Sequence, residues 1–425
     1  MTAPSAGRAT LASASRLPLA YFALAHASLA IALGALIASP ALPGGFFYHP
    51  HMIALVHLLT IGWISGSILG AFYVVAPLAL VVPMRVTRRD WIAWIAFSGG
   101  ASGMVAHFWL GTYDGMAWSG GLVLGAVAWV GWRGWQGLSA APVPSAVRGH
   151  IRLAFANLLG AGLFGILIGL DRSRGFLAVS PIDVTYAHAH VAALGWAAMM
   201  IMGLGYRLIP MLLPSAMPAG RALWLSAIFV EAGLGLLVVT ALTRRPLMPA
   251  GSLLILAGLL SFAVQIARRA RTRLPKPPSL PRRDWSLLQV RASFAWLLIA
   301  GVLGLWLAMA DTAFAPQLAW LYGTAGLLGF IGQIIAAMHG RLVPYYAWYR
   351  ATVRRGGARP ALSVHALTSA PFALSVCAAW SAGVPCLAIG LAFGDLLLIR
   401  VGALALLAGV LTGAVQIASI VRRAV

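Results

Sequence analysis

Six histidines carry the chemistry this sequence can offer: His49, His51, His57, His107, His188 and His190. Neutral imidazole is the commonest protein metal ligand and the axial ligand of many haems. Histidine inside a membrane span is costly and is kept for a partner, a cavity or a metal. His57 and His190 begin two matching segments. His57-Leu-Leu-Thr-Ile-Gly62-Trp63 runs on to Tyr73 and Pro77, and His190-Val-Ala-Ala-Leu-Gly195-Trp196 runs on to Tyr206 and Pro210. A third copy, aligned on Arg341-Leu-Val-Pro344 against Arg207-Leu-Ile-Pro210, puts Thr324 at the histidine position and Gly329-Phe330 at the Gly-Trp pair. The starts are 133 and 134 residues apart. Imidazoles at equal depth on facing helices suit bis-His haem ligation, and Gly62, Ser65, Gly66, Ala189, Ala192, Ala193 and Gly195 leave room for a flat macrocycle. The same small residues also serve plain helix packing. His188 and His190, two apart on a helix, project about 200° apart and so serve different sites.

The elements that position these residues follow from composition. Of 425 residues, 61% are apolar and only 9% charged, against about 25% charged in a soluble domain. Soluble enzymes and nucleic-acid binders are excluded, and the partner is the lipid bilayer. Apolar runs of about 20 residues, enough to cross a hydrocarbon core, predict an all-α polytopic membrane protein of twelve helices. They fall near 17–38, 51–83, 91–111, 114–137, 151–170, 181–213, 221–242, 247–268, 289–310, 317–345, 362–382 and 397–421. The 133–134-residue repeat groups them into three four-helix units, 17–150, 151–275 and 285–425, after a tail at 1–16. No cleaved signal peptide is expected in that Ser/Ala-rich tail.

The net charge of +22 is a topology signal. With the N-terminus inside, 25 of the 30 basic residues fall on the cytoplasmic side, leaving Arg172, Arg174, Arg244, Arg245 and Arg400 outside. This predicts two cytoplasmic termini in a bacterial-type inner membrane. The Pro-rich basic linker 268–291 should lie along anionic lipid. The six histidines then share the outer third. His26, His339 and His365 read as structural, and His150, in a basic loop, as solvated. Tyr73 and Tyr206 read as interfacial anchors, Arg207 and Arg341 as snorkelling cations, and Trp63 and Trp196 as candidates to stack on a macrocycle edge. Glu231, the only glutamate, lies mid-span and is either a proton relay or a helix–helix hydrogen bond. Cys377 and Cys386 make no disulfide framework or zinc knuckle. No phosphate-binding Gly-rich loop or Ser/His/Asp arrangement supports an ATPase or hydrolase.

Asp183-Val-Thr-Tyr-Ala-His188-Ala-His190-Val-Ala-Ala-Leu-Gly195-Trp196, ending Gly205-Tyr206-Arg207-Leu-Ile-Pro210, resembles the His-x-His helix of haem–copper oxidase catalytic subunits. The similarity is greatest to their C-type and nitric-oxide-reductase branches. It implies that His188 binds a high-spin haem and His190 a low-spin haem b whose other axial ligand is His57, on the second span. It also implies twelve spans, pseudo-threefold architecture and outward propionates, near Arg172, Arg174 and Arg245. The sequence departs from that family in carrying His-x-His on the sixth span rather than the tenth. It has no adjacent His-His pair for copper, so any copper would fall to His49, His51 and His107. In outline it is similar to NnrS-type haem and copper membrane proteins. The expected work is electron transfer, from a cytochrome c or quinol donor, or binding of nitric oxide or oxygen. A terminal oxidase or nitric oxide reductase, and a metal-ion or proton-coupled transporter, are the alternatives.

Overall fold

The computed structural model describes residues 15–44, 48–243, 246–275 and 284–424. The tail through residue 14, Arg244–Arg245 and the middle of the basic linker lie outside the described residues. All the elements are helical, with no strand among the described residues. Twelve continuous rods follow one another: α1 Leu17–Ala38, α2 Pro50–Leu78, α3 Arg88–Leu110, α4 Met116–Leu138, α5 Ser145–Arg174, α6 Pro181–Leu212, α7 Arg221–Thr243, α8 Met248–Arg271, α9 Trp285–Met309, α10 Ala315–Arg354, α11 Ala370–Phe393 and α12 Leu396–Arg423. Among the described residues ten are long and apolar enough to cross a membrane. The other two, α3 and α4, have 23 residues each and are rich in Gly, Ser and Trp, which lowers their mean hydropathy without shortening them.

Nine helices surround α2, α6 and α10. Neighbours pack in chain order around the ring, and α12 closes it against α1. Burial separates the two groups. The apolar cores of α2, α6 and α10 are 61%, 72% and 67% buried, whereas those of the other candidate spans are 17–50% buried. The outward faces of the ring present Ile31, Ile92, Trp118, Leu253, Val302 and Leu411, as lipid-facing helices should.

Each central helix changes register at one place. Leu58–Ser65, Val191–Ala198 and Ala325–Gly332 are π-helical, eight residues each, and the three segments touch one another in the middle of the molecule. Their bonds reach back five residues, as from Gly66 N–H to Ile61 O and from Met199 N–H to Leu194 O. π segments are rare and concentrate at functional sites. The residues that immediately precede them are His57, His190 and Thr324. Glycines inside these segments admit the preceding ring helix. A Cβ on Gly62 would collide with Ser28 of α1, one on Gly195 would meet Asn157 of α5 at 2.7 Å, and one on Gly329 would meet Trp296 of α9 at 2.6 Å.

Several boundaries move from their expected places. α2 ends at Leu78 rather than 83, just after Pro77. α10 runs ten residues past Pro344 to Arg354, because Val343, Ala347 and Ala351 keep its end packed with Phe22, Leu367 and Ile420. α5 begins at Ser145, so the expected basic loop around His150 is helix. α11 continues past the expected 382 to Phe393 with Pro385 inside it, and Asp395 caps α12 by accepting from Leu397 N–H and Leu398 N–H at 2.9 Å. The linker is shorter than expected, since helix persists to Arg271 and resumes at Trp285.

Candidate functional site

The polar side chains sort into a histidine end, a basic end and a layer between them. At the histidine end, His57 Nδ1 lies 2.7 Å from Ile53 O, one turn back on α2. A carbonyl only accepts, so Nδ1 carries the proton and the lone pair sits on Nε2. The ring packs on Phe108 of α3, centroids 4.9 Å apart. His188 Nδ1 donates to Ala161 O of α5 at 2.9 Å, and its ring lies against Gly165, where a Cβ would approach to 3.1 Å. His190 leaves the opposite face of α6. Its Nδ1 donates to Tyr186 O at 2.8 Å, and its Nε2 accepts from Tyr322 OH of α10 at 3.1 Å. Thus His57 packs on Phe108, whose ring meets Tyr113 beneath Arg172, His188 is turned to α5, and His190 is turned to Tyr186 and Tyr322.

Arg172 sits at the rim of this group. Its guanidinium lies 4.4 Å over Tyr48 and 5.2 Å over Tyr113, and Nη1 donates to Tyr113 OH at 3.2 Å. Arg172 Nη2 is buried without a hydrogen-bond partner among the described residues. The remaining rim histidines are engaged locally. His51 stacks on Trp109 at 4.4 Å and donates from Nε2 to Trp109 O at 3.1 Å. His49 Nδ1 accepts from His51 N–H at 3.2 Å, and His107 Nδ1 donates to Thr112 O at 2.7 Å. Among the described residues, His49, His51, His57, His107, His188 and His190 are not gathered into a group of three or more side chains that could hold a metal ion.

At the basic end the expected interfacial residues are buried in hydrogen-bond networks. Tyr73 OH donates to Asp90 Oδ1 at 2.8 Å, and the Asp90 carboxylate also accepts from Trp129 Nε1 at 3.0 Å and from Arg133 Nη1 at 2.6 and 2.7 Å. Asp90 is fully buried. Tyr206, expected as an anchor like Tyr73, shares Ser226 Oγ with His150 Nε2, each at 2.9 Å. His150 is therefore buried and bonded, not solvated, because α5 starts early and carries it inward. Arg207 and Arg341 do not simply snorkel either. Arg207 Nε donates to Ala79 O at 2.9 Å, and Arg341 pairs with Asp284.

In the middle layer Asn157 Nδ2 donates to Glu231 Oε1 at 2.6 Å, joining α5 to α7. This makes Glu231 a helix–helix link, and Asn157 is a residue that sequence reasoning passed over. Trp63 and Trp196 are committed to the protein interior. Trp63 packs edge-on to His26 at 5.0 Å and His339 at 5.4 Å, and Trp196 Nε1 donates to Ser65 Oγ at 3.1 Å. The His26–His339 contact was also missed, although a histidine at mid-span in the first helix was its signal.

No protein-family model matches the chain, and no curated protein matches it.

Proposed function

We propose that this chain is a haem-binding integral membrane protein of the haem–copper oxidase subunit I type, built from three four-helix units and working in electron transfer or diatomic gas binding. Support for the units comes from the three central helices, which are the most buried and turn π-helical at 58, 191 and 325, in register with the sequence repeat. Counting α3 and α4 gives twelve spans. By the positive-inside rule the basic end faces the cytoplasm of a bacterial-type inner membrane, with both termini there.

The observation that carries the cofactor reading is the state of the imidazoles at the histidine end. In His57, His188 and His190 a main-chain carbonyl holds the Nδ1 proton, which leaves Nε2 as the ligand atom. That donor set fits haem iron. A bound haem b would supply one-electron exchange and a coordination position for nitric oxide or oxygen. His57 would supply one ligand nitrogen. A second would come from α6, from His190, which matches by register, or from His188, whose Nε2 likewise carries the lone pair. Use of His190 requires its Nε2 to exchange the Tyr322 hydroxyl for the metal. The unpartnered Arg172 Nη2 suits a haem carboxylate. A cytochrome c or quinol donor would meet the outer rim.

The test is the Soret absorbance of purified protein. His57→Ala should abolish it. Loss in His190→Ala selects the register pairing, and loss in His188→Ala selects the neighbouring pairing. His339→Ala should retain the band. A protein that never shows a Soret band, yet accumulates metal ions in vesicles, would return the transporter reading. Oxygen or nitric oxide reduction at a haem–copper pair is the weaker alternative, since no three-ligand group for copper is formed among the described residues.

A further inference from the structure

His26 of α1 and His339 of α10 meet in the half of the bundle nearer the basic end, away from the histidines considered above. Their rings stack with centroids 5.2 Å apart and planes 29° apart. Phe22 covers His339 at 4.7 Å, and Trp63 abuts both rings. Together with Trp380, Gly413 and Gln416 they line a cavity with room for about one water-sized guest. His339 is 6% exposed and neither ring nitrogen has a hydrogen-bond partner among the described residues. Gln416 is 5% exposed, and its amide nitrogen has none either. His26 Nδ1 donates to Phe22 O at 2.8 Å, which leaves the lone pair on Nε2. That atom faces Gly413, where a Cβ would stand 3.4 Å away.

Burying polar groups without partners is unfavourable, so this arrangement is built for a guest. We propose that the cavity binds one monovalent, imidazole-preferring metal cation with the chemistry of Cu+, held by His26 Nε2 and a ring nitrogen of His339. The size of the cavity excludes a porphyrin. All the donors are neutral and no carboxylate among the described residues lines the space, so a divalent ion would bring uncompensated charge into the membrane. Zinc also prefers four ligands. Metal–imidazole bonds of about 2 Å place two ring centroids up to about 6 Å apart, and the observed spacing falls within that reach. Trp63 and Trp380, stacked on each other with centroids 6.0 Å apart, wall the space with apolar rings. The Gln416 amide can turn its oxygen to the ion as a third donor.

Anaerobic titration of the full-length protein in detergent against a chromogenic Cu+ chelator tests this. One equivalent should be withdrawn from the chelator. His26→Ala and His339→Ala should each weaken binding at least tenfold, and Gly413→Leu should weaken it by filling the space with both ligands kept. His365→Ala, outside the spans, should bind as the parent does. X-ray absorption at the copper edge of the parent should show two or three nitrogen or oxygen donors and no sulfur, which keeps the test valid if a histidine variant fails to fold. The proposal falls if the parent leaves the chelator complex intact, if sulfur ligates the copper, or if both histidine variants bind normally. None of these results depends on the Soret band, so the haem reading stands or falls separately.

Discussion

Trp196 Nε1 donates to Ser65 Oγ across the contact between the π segments of α6 and α2, at 3.1 Å, and Ser65 Oγ in turn donates to Thr60 O at 2.9 Å. The bond ties two central helices at the level where both leave α-helical register. Ser65→Ala strands a buried indole N–H and should cost about 1–3 kcal/mol, whereas Trp196→Phe removes the donor itself and should cost less from hydrogen bonding alone. Thermal unfolding in detergent, with Ser65→Ala melting well below the parent, checks this.

Asp90 is the hub of the basic end, and Arg133 is its ionic partner at 2.6 Å. Removing one member of a buried pair leaves the other uncompensated, a loss of about 3–5 kcal/mol. Asp90→Ala should therefore lower both yield and melting temperature far more than Tyr73→Phe, which removes one of several donors to the same carboxylate. Equal effects would show that the network is dispensable.

Gly195 and Asn157 set how closely α5 approaches the centre. Gly195→Ala places a methyl 2.7 Å from Asn157 Cγ and should destabilise, while Gly235→Ala, with nothing within 4 Å, should be neutral or mildly stabilising. Adding Asn157→Ala to Gly195→Ala should recover part of the loss, at the expense of the Glu231 hydrogen bond. Melting of the three single variants and the double variant gives the coupling directly.

Tyr322→Phe frees His190 Nε2 from its hydroxyl partner. If His190 is an axial ligand, haem per chain should hold steady or rise in this variant, read from the Soret-to-protein absorbance ratio. A fall of more than half would mean that the hydroxyl positions the ring rather than competing for it.

His365 lies outside the spans, in the connection between α10 and α11. Burial, and then the charge of Arg341, hold its protonated form below the usual histidine range. The folded state thus binds this proton less readily than the unfolded chain. The stabilisation is full above about 6.5, the ordinary value, and declines as pH falls below it. Limited proteolysis between 345 and 370 should be faster at pH 5.5 than at pH 7.5, and His365→Gln should remove most of that difference.

The sequence by itself determined the number and order of the helices and where the basic and histidine-bearing segments fall along the chain. These depend on local quantities: apolar length and arginine placement along one chain. That is why the start of α1 was found from composition alone, whereas the three-unit reading rests on matching offsets. Tertiary structure decided what each polar group meets. His150 reads as a loop residue until Ser226 of α7 reaches it, Tyr73 as an anchor until Asp90 of α3 does, and His26 as an isolated cost until His339 of α10 stacks on it. Nor does helix periodicity distinguish His190 facing Tyr322 from His190 facing His57, because both lie off the same helix. The π segments were equally hidden, since the extra residue per turn is favoured by packing among three buried helices and not by any residue type. In a bilayer nearly every span is apolar, so partner choice rests on a few buried polar atoms, and only the assembled bundle brings them within reach of one another.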